Sequence, residues 1–202
     1  MVGFSHRPGR RGQPGPPAAS GPEGRTGPRG DRALASGVRV TERLRLDPIG
    51  SEHADELWRL HRDPGVARWY GGRWTRGEAW ESALHMGHAW EVDGVHKWIA
   101  HDRGSGELVG RGGLSYAVVD CLRRLEIGWA VRERFWGLGY ASEIGRAGLT
   151  FAFDDLDADE VVSFTEVHNR RSRAVMERLG FHFVREIRHG GEPFALYLLR
   201  RP

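Results

Sequence analysis

Val131-Arg132-Glu133-Arg134-Phe135-Trp136-Gly137-Leu138-Gly139-Tyr140-Ala141-Ser142-Glu143 is the stretch that decides the fold. Upstream of it, Arg124-Leu125-Glu126-Ile127-Gly128-Trp129-Ala130-Val131 reads as a strand. Downstream, Ala141, Ile144, Gly148, Phe151 and Ala152 fall on one face of a helix expected over 138–154. Between the two lies a glycine-spaced turn that exposes backbone N–H groups without partners. The positive end of the helix dipole adds to them, so a pyrophosphate can be held there without any lysine. Gly137 and Gly139 let phosphates approach the chain closely. On its own a glycine pair before a helix also fits an ordinary strand-to-helix turn. The Walker pattern ending in Gly-Lys-Ser/Thr is absent, and the six-residue dinucleotide fingerprint does not fit. Both points disfavour a nucleotide triphosphatase or a nicotinamide enzyme.

Working outward, alternation in Val38-Arg39-Val40-Thr41-Glu42-Arg43-Leu44-Arg45-Leu46 predicts a first strand over 39–47. A helix from Ser51 carries Ala54, Leu57, Trp58 and Leu60 and stops near Asp63-Pro64-Gly65, because proline disfavours helix at the residue before it. A second helix is expected over 76–89. Lys97–His101 and Glu107–Tyr116, joined by Arg103-Gly104-Ser105-Gly106, read as a hairpin, and residues 124–131 form the fourth strand. Val161–Thr165 gives a fifth strand and residues 170–179 a helix stopped by Gly180, followed by a hairpin of 181–186 and 194–199. The order β-α-α-β-β-β-α-β-α-β-β predicts an α+β (mixed α/β) domain on one mostly antiparallel sheet flanked by about four helices.

The first 37 residues hold six of the ten prolines, nine of the 29 glycines and six arginines against Glu23 and Asp31. With almost no large apolar residues they cannot build a core, and residues 1–37 are expected to be a disordered tail, or a mistranslated leader ahead of a true start near Val38. The imperfect glycine period there is too short for a collagen helix, and Arg29-Gly30-Asp31 is a chance-length match to an adhesion tripeptide. Removing the tail turns the net charge of +3 into 24 basic against 25 acidic residues over 38–202, so that body has no nucleic-acid-binding excess. No apolar run reaches the roughly 18 to 20 residues of a membrane span and no signal segment is seen, so a soluble cytoplasmic protein is expected. Cys121, the sole cysteine, is expected to be a buried small hydrophobe. His85 and His88 lack a third ligand at recognisable spacing, so no metal site is expected.

Arg134-x-x-Gly137-x-Gly139-Tyr140-Ala141 resembles the Arg/Gln-x-x-Gly-x-Gly/Ala signature of the GNAT superfamily of N-acetyltransferases, in its place after the fourth strand. Asn169-Arg170-Arg171-Ser172 with Leu179-Gly180-Phe181 resembles the Asn-x-x-Ser…Leu-Gly-Phe segment of the subgroup that includes ribosomal-protein-alanine N-acetyltransferases, and Thr41–Leu46 matches that subgroup's opening strand. The resemblance covers roughly 39–200. It implies a sheet splayed between strands four and five, acetyl-coenzyme A as co-substrate, an amine acceptor, and a homodimer as a state that the subgroup often adopts. It also implies that the pantetheine arm pairs with the backbone of Trp129 and Val131. The pyrophosphate would sit on the amides of Arg134, Gly137, Leu138, Gly139, Tyr140 and Ala141, with Arg134 adding charge and Asn169 close by.

Acetyl transfer to an amine needs a base for the ammonium proton and an acid for the departing thiolate. By resemblance Glu126 is the candidate base, although one solvent-facing residue in an alternating strand explains it as simply. Ser172 is the candidate acid, against a first-turn serine bonding locally; Asn169 also reads as a helix N-cap. The acceptor side would be built from the first two helices and their turn, with Trp69, Tyr70 and Trp74, and Tyr116 across from them. The alternatives are a non-catalytic acyl-coenzyme A sensor on the same fold and a nucleic-acid-binding protein using the basic tail.

Overall fold

A computed structural model describes residues 37–202 of the chain; the expected tail, Gly37 apart, lies outside the described residues. Eight strands form one sheet: β1 (Arg39–Val40), β2 (Leu44–Pro48), β3 (Lys97–Asp102), β4 (Leu108–Val119), β5 (Leu122–Val131), β6 (Glu160–Glu166), β7 (His182–His189) and β8 (Glu192–Arg200). Their spatial order is β1-β2-β3-β4-β5-β6-β8-β7, antiparallel throughout except for β5 beside β6. That one parallel pair is joined only at Glu126 opposite Val162. β5 is the expected fourth strand and β6 the fifth, so the pairing is reduced to a single point where the splay was expected.

Five helices flank the sheet: α1 (Ala54–His61), α2 (Pro64–Ala67), α3 (Arg76–Asp93), α4 (Tyr140–Thr150) and α5 (Arg170–Arg178). Among the described residues none is long and apolar enough to cross a membrane. α2 was not expected, because Pro64 reads as a helix stop. Here it occupies the first helical position, where its missing N–H costs nothing, and Asp63 caps the turn by accepting from the Gly65 amide at 3.0 Å.

The expected first strand also divides. Val40 pairs back against Arg45, so the chain turns sharply at Thr41–Arg43. Thr41 and Leu44 close the turn locally, the Thr41 amide donating to the Leu44 carbonyl and the Leu44 amide to Thr41 Oγ1, each at 2.9 Å, and it is anchored about a hundred residues away by Glu143 on α4. Its carboxylate accepts from the Thr41 hydroxyl at 2.5 Å, the Arg43 amide at 2.8 Å and Arg43 Nε at 2.8 Å. Local alternation could not reveal that contact. Cys121 departs from expectation as well. It is exposed, with φ 61 next to Asp120 at φ 54, in the two-residue turn joining β4 to β5. Left-handed conformation at both central residues matches the twist of the two strands, which fixes the turn's place at the tip of the hairpin.

α4 packs on the face of β4 and β5 that carries Leu114, Ile127, Trp129 and Val131. The approach is close: a Cβ on Gly112 would come within 2.6 Å of Ile144 Cγ2. α1 and α3 cover the other face, around Leu57, Ala79, Ala83 and Ile99.

Burial works to raise the Glu143 carboxyl, but the hydrogen bonds from Thr41 and Arg43 outweigh it and hold the group below the ordinary carboxylate range. A depressed carboxyl stabilises the fold above its unfolded value of about 4.3, and that contribution disappears as pH falls through the folded value. Glu143→Gln should therefore lower the melting temperature by roughly 4–8 °C at pH 7. In circular-dichroism melts the gap from the parent chain should shrink as pH is taken below about 4. A gap that persists unchanged at acid pH would show that the ionised carboxylate does not carry the effect.

Candidate active site

The turn between β5 and α4 opens a helix on two glycines. Gly137 and Gly139 take φ 78 and 85, a region that side chains avoid, and Gly139 is the N-cap of α4. The first hydrogen bond of α4 runs from the Glu143 amide to the Gly139 carbonyl at 3.0 Å, so the amides ahead of it have no acceptor within the helix. Arg43 sets the turn's orientation: its Nη1 donates to the Leu138 carbonyl at 2.8 Å, its Nη2 reaches Glu143 at 2.6 Å, and the guanidinium lies over the Tyr140 ring. Tyr140 in turn donates its hydroxyl to Asp102 Oδ2 at 2.6 Å. That hydroxyl first, and then the Ser105 amide and hydroxyl, hold the Asp102 carboxyl down to about 2.

A cleft of about 840 Å³ opens beside this turn. The expected residues Trp129, Val131, Gly137, Gly139, Tyr140, Ala141, Asn169 and Ser172 all line it. The free edge of β5 forms one wall. The Ile127 carbonyl faces that edge and accepts from Ser163 Oγ at 2.8 Å, and the Val131 carbonyl faces it and accepts from Trp136 Nε1 at 2.7 Å. Trp129, two residues from each, turns its N–H and C=O the same way. Beyond Glu126 no β6 residue makes a backbone ladder pair with this edge, and from β6 the Ser163 side chain reaches it.

At the other wall Asn169 caps α5: Oδ1 accepts from the Ser172 amide at 3.2 Å, and Nδ2 donates to Thr165 Oγ1 at 3.1 Å. That fixes the first turn of α5, with Ser172, against the cleft. Leu138 is exposed and is not among the lining residues. Arg134 points away, pairing with Glu107 at 2.8 Å in a separate cleft of about 430 Å³. The cleft's cations are instead Arg43, Arg68, Arg146, Arg170, Arg171 and Arg178, with Arg171 stacked on the Trp136 indole at 4.5 Å. None of them stands out in a sequence whose basic residues are nearly all arginine.

Glu126 is not in the cleft. It is fully buried on the opposite face of β5, where Lys97 donates to Oε2 at 2.7 Å and Ser115 donates to the same oxygen at 3.0 Å. The solvent-facing alternative is thereby excluded. Lys97 also donates to the Gly113 carbonyl at 2.8 Å, and burial pushes its ammonium down against the pull of Glu126. Nearby on this face lie His61, Arg111 and Tyr70, none of which except Tyr70 stands out in the sequence. Arg111 Nε donates to His61 Nε2 at 3.2 Å, and Trp74 stacks on His61 with centroids 3.4 Å apart. Burial, then Arg111, pushes His61 well below its ordinary value, so its ring is neutral. Tyr70 and Trp74 thus stand together as expected, and Trp69 lines the cleft. Tyr116 does not face them: it pairs with Leu125 on the α4 face, with Arg123 stacked 3.5 Å above it.

A family model described as an acetyltransferase (GNAT) domain matches residues 43–182. YkkB of Bacillus subtilis, an uncharacterised protein, is 32% identical over 164 residues, covering 78% of this chain and 92% of that protein. The FsC-acetyl coenzyme A-N(2)-transacetylase of Aspergillus fumigatus is 34% identical over 155 residues, which is 71% of this chain but only 64% of the fungal enzyme. Among solved structures, an acetyltransferase from Agrobacterium tumefaciens has a TM-score of 0.69 at 25% identity, covering 86% of this chain and 100% of that one.

The buried pair gives a stability test. Glu126→Ala leaves the Lys97 ammonium buried without its partner and should cost roughly 3–5 kcal/mol in urea denaturation. Replacing both residues by methionine should recover most of that loss. Equal losses in the single and double variants would mean that the cost lies in packing, not in charge.

Proposed function

The chain belongs to the GNAT acetyltransferase family, and from that premise we propose that it moves the acetyl group of acetyl-coenzyme A to a primary amine by direct attack in a ternary complex. The observation that carries the reading is the continuity of one cleft from the unpaired edge of β5 to the amides opening α4. The pantetheine arm extends along that edge and pairs with the N–H and C=O of Trp129. The pyrophosphate rests on the amides from Gly137 to Ala141, where helix dipole and arginines oppose its charge. Asn169 acts on the coenzyme indirectly, by holding the start of α5 in place.

The amine approaches from the α1–α3 face. Glu126 Oε1 accepts the proton that leaves the ammonium, since Lys97 and Ser115 occupy Oε2 only. The nitrogen lone pair then attacks the thioester carbonyl, and collapse of the tetrahedral adduct breaks the C–S bond and expels a thiolate. Ser172, on the wall of the cleft, donates the proton that the thiolate takes up, and the proton still carried by the adduct nitrogen is released as the amide forms and restores the Ser172 hydroxyl. General acid and base groups of this kind contribute about 10²- to 10⁴-fold each.

Free-thiol release from acetyl-coenzyme A, followed against a panel of amines and N-terminal peptides, tests the proposal. At least one amine should release thiol stoichiometrically with acetylated product. Glu126→Gln and Ser172→Ala should lower kcat on the order of 100-fold or more while acetyl-coenzyme A still binds by calorimetry. Tight binding with no transfer to any amine would favour a coenzyme-sensing protein on this fold.

A further inference from the structure

On the α1–α3 face four buried polar atoms have no hydrogen-bond partner among the described residues: Glu126 Oε1, Arg111 Nη2, His61 Nδ1 and His96 Nδ1. Arg111 is the most demanding of them. The residue is 3% exposed, and among the described residues no carboxylate lies within ion-pair distance of it. Its neighbours do not neutralise it. His61 is neutral, Tyr70 offers a ring face 5.1 Å away, and the nearby Lys97 is itself matched to Glu126. A buried cation is costly unless something pairs with it.

Arg111 is also held in place. Its Nε is committed to His61 Nε2, and that ring is clamped between Trp74, stacked on it, and Tyr70, edge-on to it at 4.5 Å. A guanidinium fixed through one nitrogen and empty at another is preorganised to receive an anion. Glu126 opposes it on the same face. Arg111 and Ser115 lie four residues apart on β4, and Ser115 stands directly opposite Glu126 on β5. One face thus presents an unused acceptor, Oε1, and an unused cationic donor, Nη2.

We infer that the acceptor carries a carboxylate beside its amine, as an α-amino acid does, with Arg111 Nη2 donating to the carboxylate and Glu126 Oε1 accepting from the amine. This rests on the acetyl-transfer reading above and narrows its substrate class. The placement suits that chemistry. Glu126 marks the point where β5 and β6 part, and Trp69, which lines the coenzyme cleft, is followed directly by Tyr70 beneath Arg111. A nitrogen held at Oε1 therefore sits at the mouth of the splay. The covering wall is the short Trp69–Trp74 turn, where Gly71 and Gly72 take φ 72 and 124. His61 is a positioning residue, acting through Arg111.

The test compares amino acids with their amides and with their decarboxylated amines, pair by pair, in the thiol-release assay with the full chain. The accepted amino acid should exceed both analogues in kcat/KM by roughly 10- to 100-fold, the loss expected when a buried charged donor is left unpaired. Arg111→Gln should bring that ratio to within a few-fold of one. Calorimetry with acetyl-coenzyme A and a melting curve show whether the variant is folded. Amides or plain amines acetylated as well as the acids, or a ratio untouched by Arg111→Gln, would overturn the inference and leave acetyl transfer standing. If the variant does not fold, the analogue comparison on the parent chain decides alone. Coenzyme binding without transfer to any amine in the panel would overturn acetyl transfer and the inference with it.

Discussion

The glycine turn at the candidate cleft is tied to the rest of the fold through the Glu143 carboxylate. One buried group on α4 gathers Thr41 and Arg43, turns the chain between β1 and β2, and aims Arg43 at the Leu138 carbonyl. That carbonyl is thereby occupied by a guanidinium. The glycines make the turn possible. The salt bridge decides which way it faces.

A second organising constraint runs through the opposite face. Lys97, Ser115 and Glu126 lie on three adjacent strands at the level where β5 leaves β6. Buried charges in a sheet need good geometry to be tolerated, and here the pair also ties β3 to β5 across β4. The sheet is consequently held together just where it opens. A polar tie at the point of divergence keeps β3, β4 and β5 together where β5 and β6 part.

The strands, the long helices and the glycine turn were legible because their signals are local: period two, period 3.6, and residues suited to left-handed φ. α2 was missed because Pro64 carries opposite meanings at the end of one helix and the start of another, and only the Asp63 cap distinguishes them. The turn at Thr41–Arg43 was missed because alternation hid the local bonds between Thr41 and Leu44, and because its anchor is a hydrogen-bonding partner on α4. Site residues divide in the same way. Gly137, Gly139 and Ser172 could be placed from motifs, whereas Arg43, His61 and Arg111 acquire meaning only from what the fold brings beside them. One signal was present and could have been used. Lys97 begins a strand that continues Trp98-Ile99-Ala100, and Arg111 stands among glycines and apolar residues on another. A charge at an inward position of an alternating strand asks for a buried partner.

The Trp136 indole gives the cleft a property that no list of its walls conveys. By donating to the Val131 carbonyl and stacking beneath Arg171, it is an intramolecular competitor for the sheet edge on which an incoming strand-like ligand would pair. Any ligand extending that far must displace it, and so binds with its intrinsic affinity scaled by the fraction of molecules in which the indole has left. An added Cβ at Gly65 would meet that ring at 2.7 Å, so packing at that helix turn bears on whether the edge is open.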